Sequence, residues 1–294
     1  MKQLAIIGPT ASGKSDLAIK IAKETNGYIL SIDSLSIYRE IDIVSAKPKK
    51  RDLLEVKHFG IDLLYPNEYF SVDIFIKLYK DVVNICKKEN KNLIIVGGTS
   101  FYLKSLMQGL SELPDITDEI SKDVKNELKA PNKAYGFLSL IDKTYMKNIS
   151  KNDRYRIEKA LLIFRASGMT PTEWFKLHPP KPIIKDLDIY NIEVTRDVLR
   201  KRILKRTKKM LDMGLIDEVS VLEQKYCRSL HAMNSIGITE VLEYLDSKVT
   251  LGKMLDNIST HTAQLAKRQQ TFNRTQFQNV TDAPLEKLLN THFL

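Results

Sequence analysis

At 294 residues with 43% hydrophobic content, the chain can bury one good core and carry an inserted or appended subdomain. No apolar stretch approaches the roughly 20 residues of a membrane span, and the N-terminus runs into a glycine loop with no signal-peptide pattern, so a soluble cytoplasmic protein is expected. Two cysteines far apart, Cys86 and Cys227, exclude a zinc finger and argue against a disulfide framework, while 46 Lys and Arg against 36 Asp and Glu (net +10) favour a polyanionic partner, nucleic acid before membrane surface.

Residues 2 to 7 are apolar and predict a buried strand; 14 to 25 predict an amphipathic helix. Between them lies Gly8-Pro9-Thr10-Ala11-Ser12-Gly13-Lys14-Ser15, which fills every fixed position of the phosphate-binding loop G-x-x-x-x-G-K-[ST]. Glycines let successive N–H groups curl around a phosphate, and the helix N-terminus adds partial positive charge. Lys14 supplies a full charge to the outer phosphate, and Ser15 offers a hydroxyl to an accompanying Mg²⁺. Tyr28 to Asp33 predicts a second strand ending on a carboxylate, which makes a βαβ opening over a parallel sheet. Ligands sit at the carboxyl ends of such strands, so Asp33 is expected in the crevice with Lys14, as a catalytic group, a metal-associated carboxylate or a cap.

Ser34 to Lys50 is loop-rich and not periodic enough to be core. His58 to Leu64 predicts a third strand, Val72 to Lys88 a helix and Leu93 to Val96 a fourth strand. Gly97-Gly98-Thr99 follows, where a phosphate-loop ATPase would place an acidic residue, and this argues against nucleotide hydrolysis. Thr99 is either a hydroxyl aimed into the crevice or the N-cap of a following helix.

After Leu113-Pro114 the composition turns to Lys, Asn, Asp and turn prolines, predicting a helical insertion over 114–186 between a first core part, 1–113, and a second, 187–294. Within it, Asn152 to Lys159 carries Arg154, Tyr155, Arg156 and Lys159 at helical spacing, and Trp174 is expected in a core. A strand is predicted at Leu187 to Val194. Between Arg196 and Lys209 stand eight Lys or Arg against one Asp197. Arg202 and Arg206, four apart, share a helix face and can close over a diphosphate; Arg200, Lys201, Lys205, Lys208 and Lys209 are expected to face outward. From Gly214 onward the pattern predicts helices throughout.

Taken in order, these residues resemble the bacterial-type tRNA dimethylallyltransferases, also called tRNA isopentenyltransferases. The likeness rests on 8–15, Asp33-Ser34 with Tyr38-Arg39 and Ala46-Lys47-Pro48, Gly97-Gly98-Thr99 with Tyr102, Asn152-Asp153 with Arg156, Arg196/Arg202/Arg206 with Met210 and Gly214-Leu215, and Ala266-Lys267-Arg268-Gln269. It implies a phosphate-loop NTPase-like α/β core, a parallel sheet flanked by helices, with a helical insertion domain and a helical C-terminal part, tRNA being held between core and insertion. It also implies transfer of a dimethylallyl group from dimethylallyl diphosphate to the exocyclic amine of the adenosine 3′ of the anticodon in certain tRNAs, with Mg²⁺, by a monomer. Asp33 would be the general base and Thr99 a positioning group. Lys14, Ser15, Arg202 and Arg206 would hold the diphosphate, and Asp33, Ser34, Leu35, Ser36, Thr99, Ser121, Arg154, Tyr155, Arg156 and Lys159 would meet tRNA. Ser36, Tyr155, Lys159, Ala263 and Phe272 stand where the family usually has Gln, Gln, Arg, Arg and Trp. The competing readings are an adenylate isopentenyltransferase and a small-molecule kinase using ATP.

Overall fold

The computed structural model describes residues 1–293, in two compact units: Met1–Lys104 with Lys185–Leu294, and Ser105–Ile184. The first unit opens with β1 (Gln3–Ile7), α1 (Lys14–Glu24), β2 (Gly27–Ser31), α2 (Lys50–Glu55), β3 (His58–Phe59), α3 (Val72–Lys88) and β4 (Asn92–Val96), and the boundary at Ser105 falls within α4 (Ser100–Gln108). The second unit is α5 (Asp118–Glu127), α6 (Pro131–Ile141), α7 (Lys143–Met146), α8 (Arg154–Ser167) and α9 (Pro171–Leu177). The chain then returns with β5 (Asp188–Glu193), α10 (Arg196–Asp212), α11 (Leu215–Lys225), α12 (Ile238–Leu245), α13 (Leu251–Gln276), β6 (Val280–Pro284) and α14 (Leu285–Leu289). Among the described residues no helix is long and apolar enough to cross a membrane.

Six parallel strands lie in the order β3-β2-β4-β1-β5-β6. The register pairs Ile6 and Ser31 with Val96 and Ile7 with Asn191, so the segments after β1, β2, β4 and β5 leave the sheet at one edge. Leu4, Ile6, Ile29, Ile94 and Ile192 bury against Leu17, Ala18 and Ile21 of α1. Each such aliphatic side chain contributes about 1.5–3 kcal/mol on leaving water. A second cluster joins Met210, Leu215, Val219, Val241 and Met254, from the helices after β5, to Ile37, Tyr38, Ile41 and Val44.

That cluster corrects the reading of 34–50 as coreless: its apolar side chains are buried, but its irregular turns show no period. The third strand is also shorter than expected. Gly60 has φ +79°, a Cβ there would lie 2.6 Å from the Ser31 carbonyl oxygen, and Asp62 too is left-handed at φ +55°, so pairing stops at Phe59. The C-terminal part is not helical throughout, because Val280–Pro284 adds an edge strand to β5. Its proline sits at the strand's last position, where a missing N–H is tolerated.

The second unit begins at Ser105, ahead of the composition change at 114, and is wholly helical within its described elements. Its core is Val124, Leu138, Ile157, Ala160 and Leu161. Trp174 is only half-buried: its indole N–H donates to the Glu112 carbonyl at 2.8 Å and its ring stacks on His178.

Candidate functional site

A cavity of about 930 Å³ opens at the carboxyl edge of the strands, lined by the phosphate loop, Asp33, Gly97 to Phe101, Arg202, Arg206 and residues of α13. That is at the upper end of the size of ligand pockets, room for two reactants.

The loop has the backbone its sequence requires. Gly8 has φ +148° and Gly13, at the head of α1, φ +95°; a Cβ on Gly13 would lie 2.6 Å from Leu285. Lys14 Nζ donates to the Pro9 carbonyl at 2.7 Å. Burial lowers its pKa to about 8; the Asp33 carboxylate opposes that shift and Arg206 adds to it. An enclosed ammonium with so little compensation is a site that gains most from an anion. From α10, Arg202 Nη1 donates to the Ser12 carbonyl at 3.3 Å and Arg206 Nη1 to the Thr10 hydroxyl at 3.1 Å. Leu199, Ile203, Thr207 and Met210 are the buried positions of that helix, which sets the two arginines on the flank facing the loop. Arg200, Lys201, Lys205, Lys208 and Lys209 are exposed, as expected. Burial also pushes the Arg206 pKa down, and Asp33 offsets it. The hydroxyls of Ser12 and Ser100 are buried and, among the described residues, have no partner.

Facing the loop, Asp33 follows β2. Its Oδ1 accepts from the N–H groups of Leu35 at 2.9 Å and Ser36 at 3.2 Å, and its other oxygen takes no hydrogen bond among the described residues. The carboxylate therefore closes a turn with one oxygen and leaves the other available to the cavity. Thr99 Oγ1, after β4, accepts from Ser34 N–H at 3.2 Å and donates to Ser34 Oγ at 3.3 Å, joining the two strand ends. Leu35 packs against the second core, and Ser36, 4% exposed, spends its hydroxyl on Ser31. Tyr102 is pushed to about 12, first by burial and then by Tyr38, Asp33 and Tyr69, so its phenol stays neutral.

Two polar anchors of this unit, Glu218 and Glu240, carried no signal in the sequence, and a third, Gln269, stood there only as part of the 266–269 segment with no role assigned. Glu218 accepts from the N–H groups of Asp42, Ile43 and Val44 at 2.7–3.0 Å, fixing the loop that carries Lys47. Glu240, 2% exposed, holds the N–H of Gly237 at 2.6 Å and His261 Nδ1 at 2.5 Å. Gln269 contacts both Thr10 and Gly98. Lys47 itself donates to the Tyr38 carbonyl, Asp42 and Asp62.

In the second unit Asp153 caps α8, accepting from Arg156 N–H at 3.0 Å and from its Nε at 2.5 Å. Arg154 Nη2 reaches the Leu128 carbonyl at 3.3 Å, Tyr155 is 63% exposed, and Lys159 Nζ lies 5.8 Å from the Tyr155 ring centroid. Ser121 lies on α5, half-buried. These side chains leave cationic and aromatic groups on the outside of α8.

Ser15, at the head of α1, lines the cavity, and its hydroxyl takes no hydrogen bond among the described residues. No cluster of three acidic, histidine or cysteine side chains suited to a metal occurs among them. A lone hard oxygen donor beside an anion site fits Mg²⁺, which keeps several waters and takes its remaining ligands from phosphate.

Residues 36–276 match the family model described as IPP transferase. A tRNA dimethylallyltransferase of Sulfurimonas denitrificans is 66% identical over 288 residues, 98% of this chain and 97% of the relative. One from Nautilia profundicola is 54% identical over 285 residues, 97% of this chain and 96% of the relative. Among solved structures, a full-length tRNA isopentenylpyrophosphate transferase from Bacillus halodurans has a TM-score of 0.71 at 29% identity, with 98% of this chain and 93% of that chain covered.

Proposed function

We propose, because this chain belongs to the IPP transferase family, that it transfers a dimethylallyl group from dimethylallyl diphosphate to the exocyclic amine of the adenosine 3′-adjacent to the anticodon in certain tRNAs, releasing diphosphate. The observation that carries this reading is that Lys14, Arg202 and Arg206 converge on one phosphate loop while Asp33 keeps a free carboxylate oxygen in the same cavity.

The loop N–H groups, Lys14 and the two arginines hold the diphosphate. As the amine lone pair bonds to the allylic carbon, the carbon–oxygen bond breaks and its electrons leave with diphosphate, where these cations neutralise the growing charge. The free oxygen of Asp33 accepts the amine proton, and Thr99, tied to Ser34, keeps the strand ends in register. Ser15 would hold Mg²⁺, which when bound adds Lewis-acid stabilisation of the leaving diphosphate. The exposed groups at Arg154, Tyr155 and Arg156 and the half-buried Lys159 would contact the anticodon arm, and a tRNA substrate supports a cytoplasmic protein. The neutral Gly97-Gly98-Thr99 after β4 disfavours a kinase, which needs a carboxylate there for its metal.

The test is nucleoside mass spectrometry of tRNA incubated with protein and dimethylallyl diphosphate. One dimethylallyl group is expected on the adenosine beside the anticodon. Prenylation of free adenylate with none of tRNA would overturn the assignment. Thermal stabilisation by dimethylallyl diphosphate rather than ATP separates transferase from kinase.

A further inference from the structure

Gln269 lies in the wall of this cavity, and the chemistry above gives it no task. Its Oε1 accepts from the Thr10 N–H at 2.8 Å, and its Nε2 donates to the Gly98 carbonyl at 3.1 Å. Thr10 N–H can only donate and Gly98 C=O can only accept, so the amide has one orientation that satisfies both. One side chain of α13 thus ties the phosphate loop to the segment after β4. Its neighbours on α13 repeat the attachment to β5: Gln270 donates to the Val194 carbonyl at 3.3 Å and Asn273 to Asn191 Oδ1 at 3.2 Å.

The amide also explains a glycine. A Cβ on Gly98 would lie 2.3 Å from Gln269 Nε2 and 3.2 Å from its Cδ. A side chain at 98 would therefore force the Gln269 amide to shift from its two partners, and it is this close approach rather than a left-handed backbone that favours glycine there.

We propose that Gln269 is a positioning residue for the transfer, holding the phosphate loop, and with it the leaving group, at a fixed distance from the Gly98-Thr99 segment beside Asp33. The proposal rests on the transferase reading of the same site. Because Thr10 is also held by Arg206, the chain Arg206–Thr10–Gln269–Gly98 runs unbroken across the cavity. Transfer needs amine and allylic carbon at about 3–3.5 Å, and a slip of about 1 Å costs about 10²-fold in rate.

The test uses the full chain with Gln269→Leu, Gly98→Ala, Gln269→Ala and the double variant Gly98→Ala/Gln269→Ala. Each is measured for the dissociation constant of dimethylallyl diphosphate and for single-turnover transfer to saturating tRNA. Gln269→Leu is expected to lower the transfer rate by about 10²-fold while the donor constant moves by less than about threefold, because the cations that grip the diphosphate are untouched. Gly98→Ala is expected to impair transfer in the parent and to cost nothing further once Gln269 is Ala, since the collision has gone. A Gln269→Leu rate within about twofold of the parent, rate and donor affinity falling together, or additive effects of the two alanine changes would overturn the proposal. If Gln269→Leu does not fold, the alanine cycle decides. A parent that leaves tRNA unmodified would instead overturn the functional reading.

Discussion

Arg206 donates to the hydroxyl of Thr10 across 196 positions of sequence, at 3.1 Å. A cation on a late helix thereby becomes part of a loop made at the start of the chain, and Arg202 does the same at the Ser12 carbonyl.

On the proposed reading Arg206→Gln removes a charge-assisted contact to the leaving diphosphate, a kind of contact worth about 1.5–3 kcal/mol. Donor affinity should fall by about ten- to a hundredfold. tRNA affinity measured without donor should hold. Calorimetry with dimethylallyl diphosphate reads the first, and an unchanged donor constant would remove Arg206 from the diphosphate clamp.

Asp33→Asn should keep the turn, because an amide oxygen can still accept from Leu35 and Ser36 N–H, yet it cannot take the amine proton. Turnover should drop by about 10²–10⁴ with both substrates bound normally. Single-turnover transfer checks this, and a rate within about threefold of the parent would leave Asp33 only its turn-forming role.

Arg154→Gln with Lys159→Gln should weaken tRNA binding and flatten its dependence on salt, since each phosphate contact releases counterions. Donor affinity should not change. tRNA dissociation constants across a salt series distinguish this from a merely solvated face, for which parent and variant lines coincide.

Asp153→Ala should destabilise the chain by about 1 kcal/mol at neutral pH through loss of the α8 cap. Hydrogen bonding by the Arg156 N–H, and then its guanidinium, holds the Asp153 carboxyl below its ordinary value. A depressed carboxylate stabilises the fold fully above its unfolded pKa of about 4 and loses that contribution as pH falls through the folded value. Urea unfolding of parent and variant should therefore show a difference that shrinks on acidification.

The phosphate loop, Asp33, Thr99 and the Arg202/Arg206 pair were legible because each is a local pattern: a motif, a strand end, or a four-residue helix spacing. Parallel strands then bring their ends to one edge, so reading four segments separately locates most of the cavity. Glu218 and Glu240 were not legible, nor was the role of Gln269, whose segment carried only the resemblance, because a polar residue on a helix acquires its role from backbone groups far away in sequence. Ile37, Tyr38, Ile41 and Val44 were missed for the complementary reason: burial in irregular turns leaves no period to find. Val-Thr-Asp-Ala-Pro at 280–284 is weak as a strand on composition and exists by pairing with β5.

The link between Thr10 and Gln269 has a consequence for the protein's manufacture. At a synthesis rate of about 5–20 residues per second, the ribosome releases Gln269 between about ten seconds and about a minute after the phosphate loop. β1 gains β5 before then, whereas β5 still lacks β6 when Gln269 emerges. A nascent chain carries the anion-binding motif long before the side chains that brace it, so the cavity matures only once α13 has emerged.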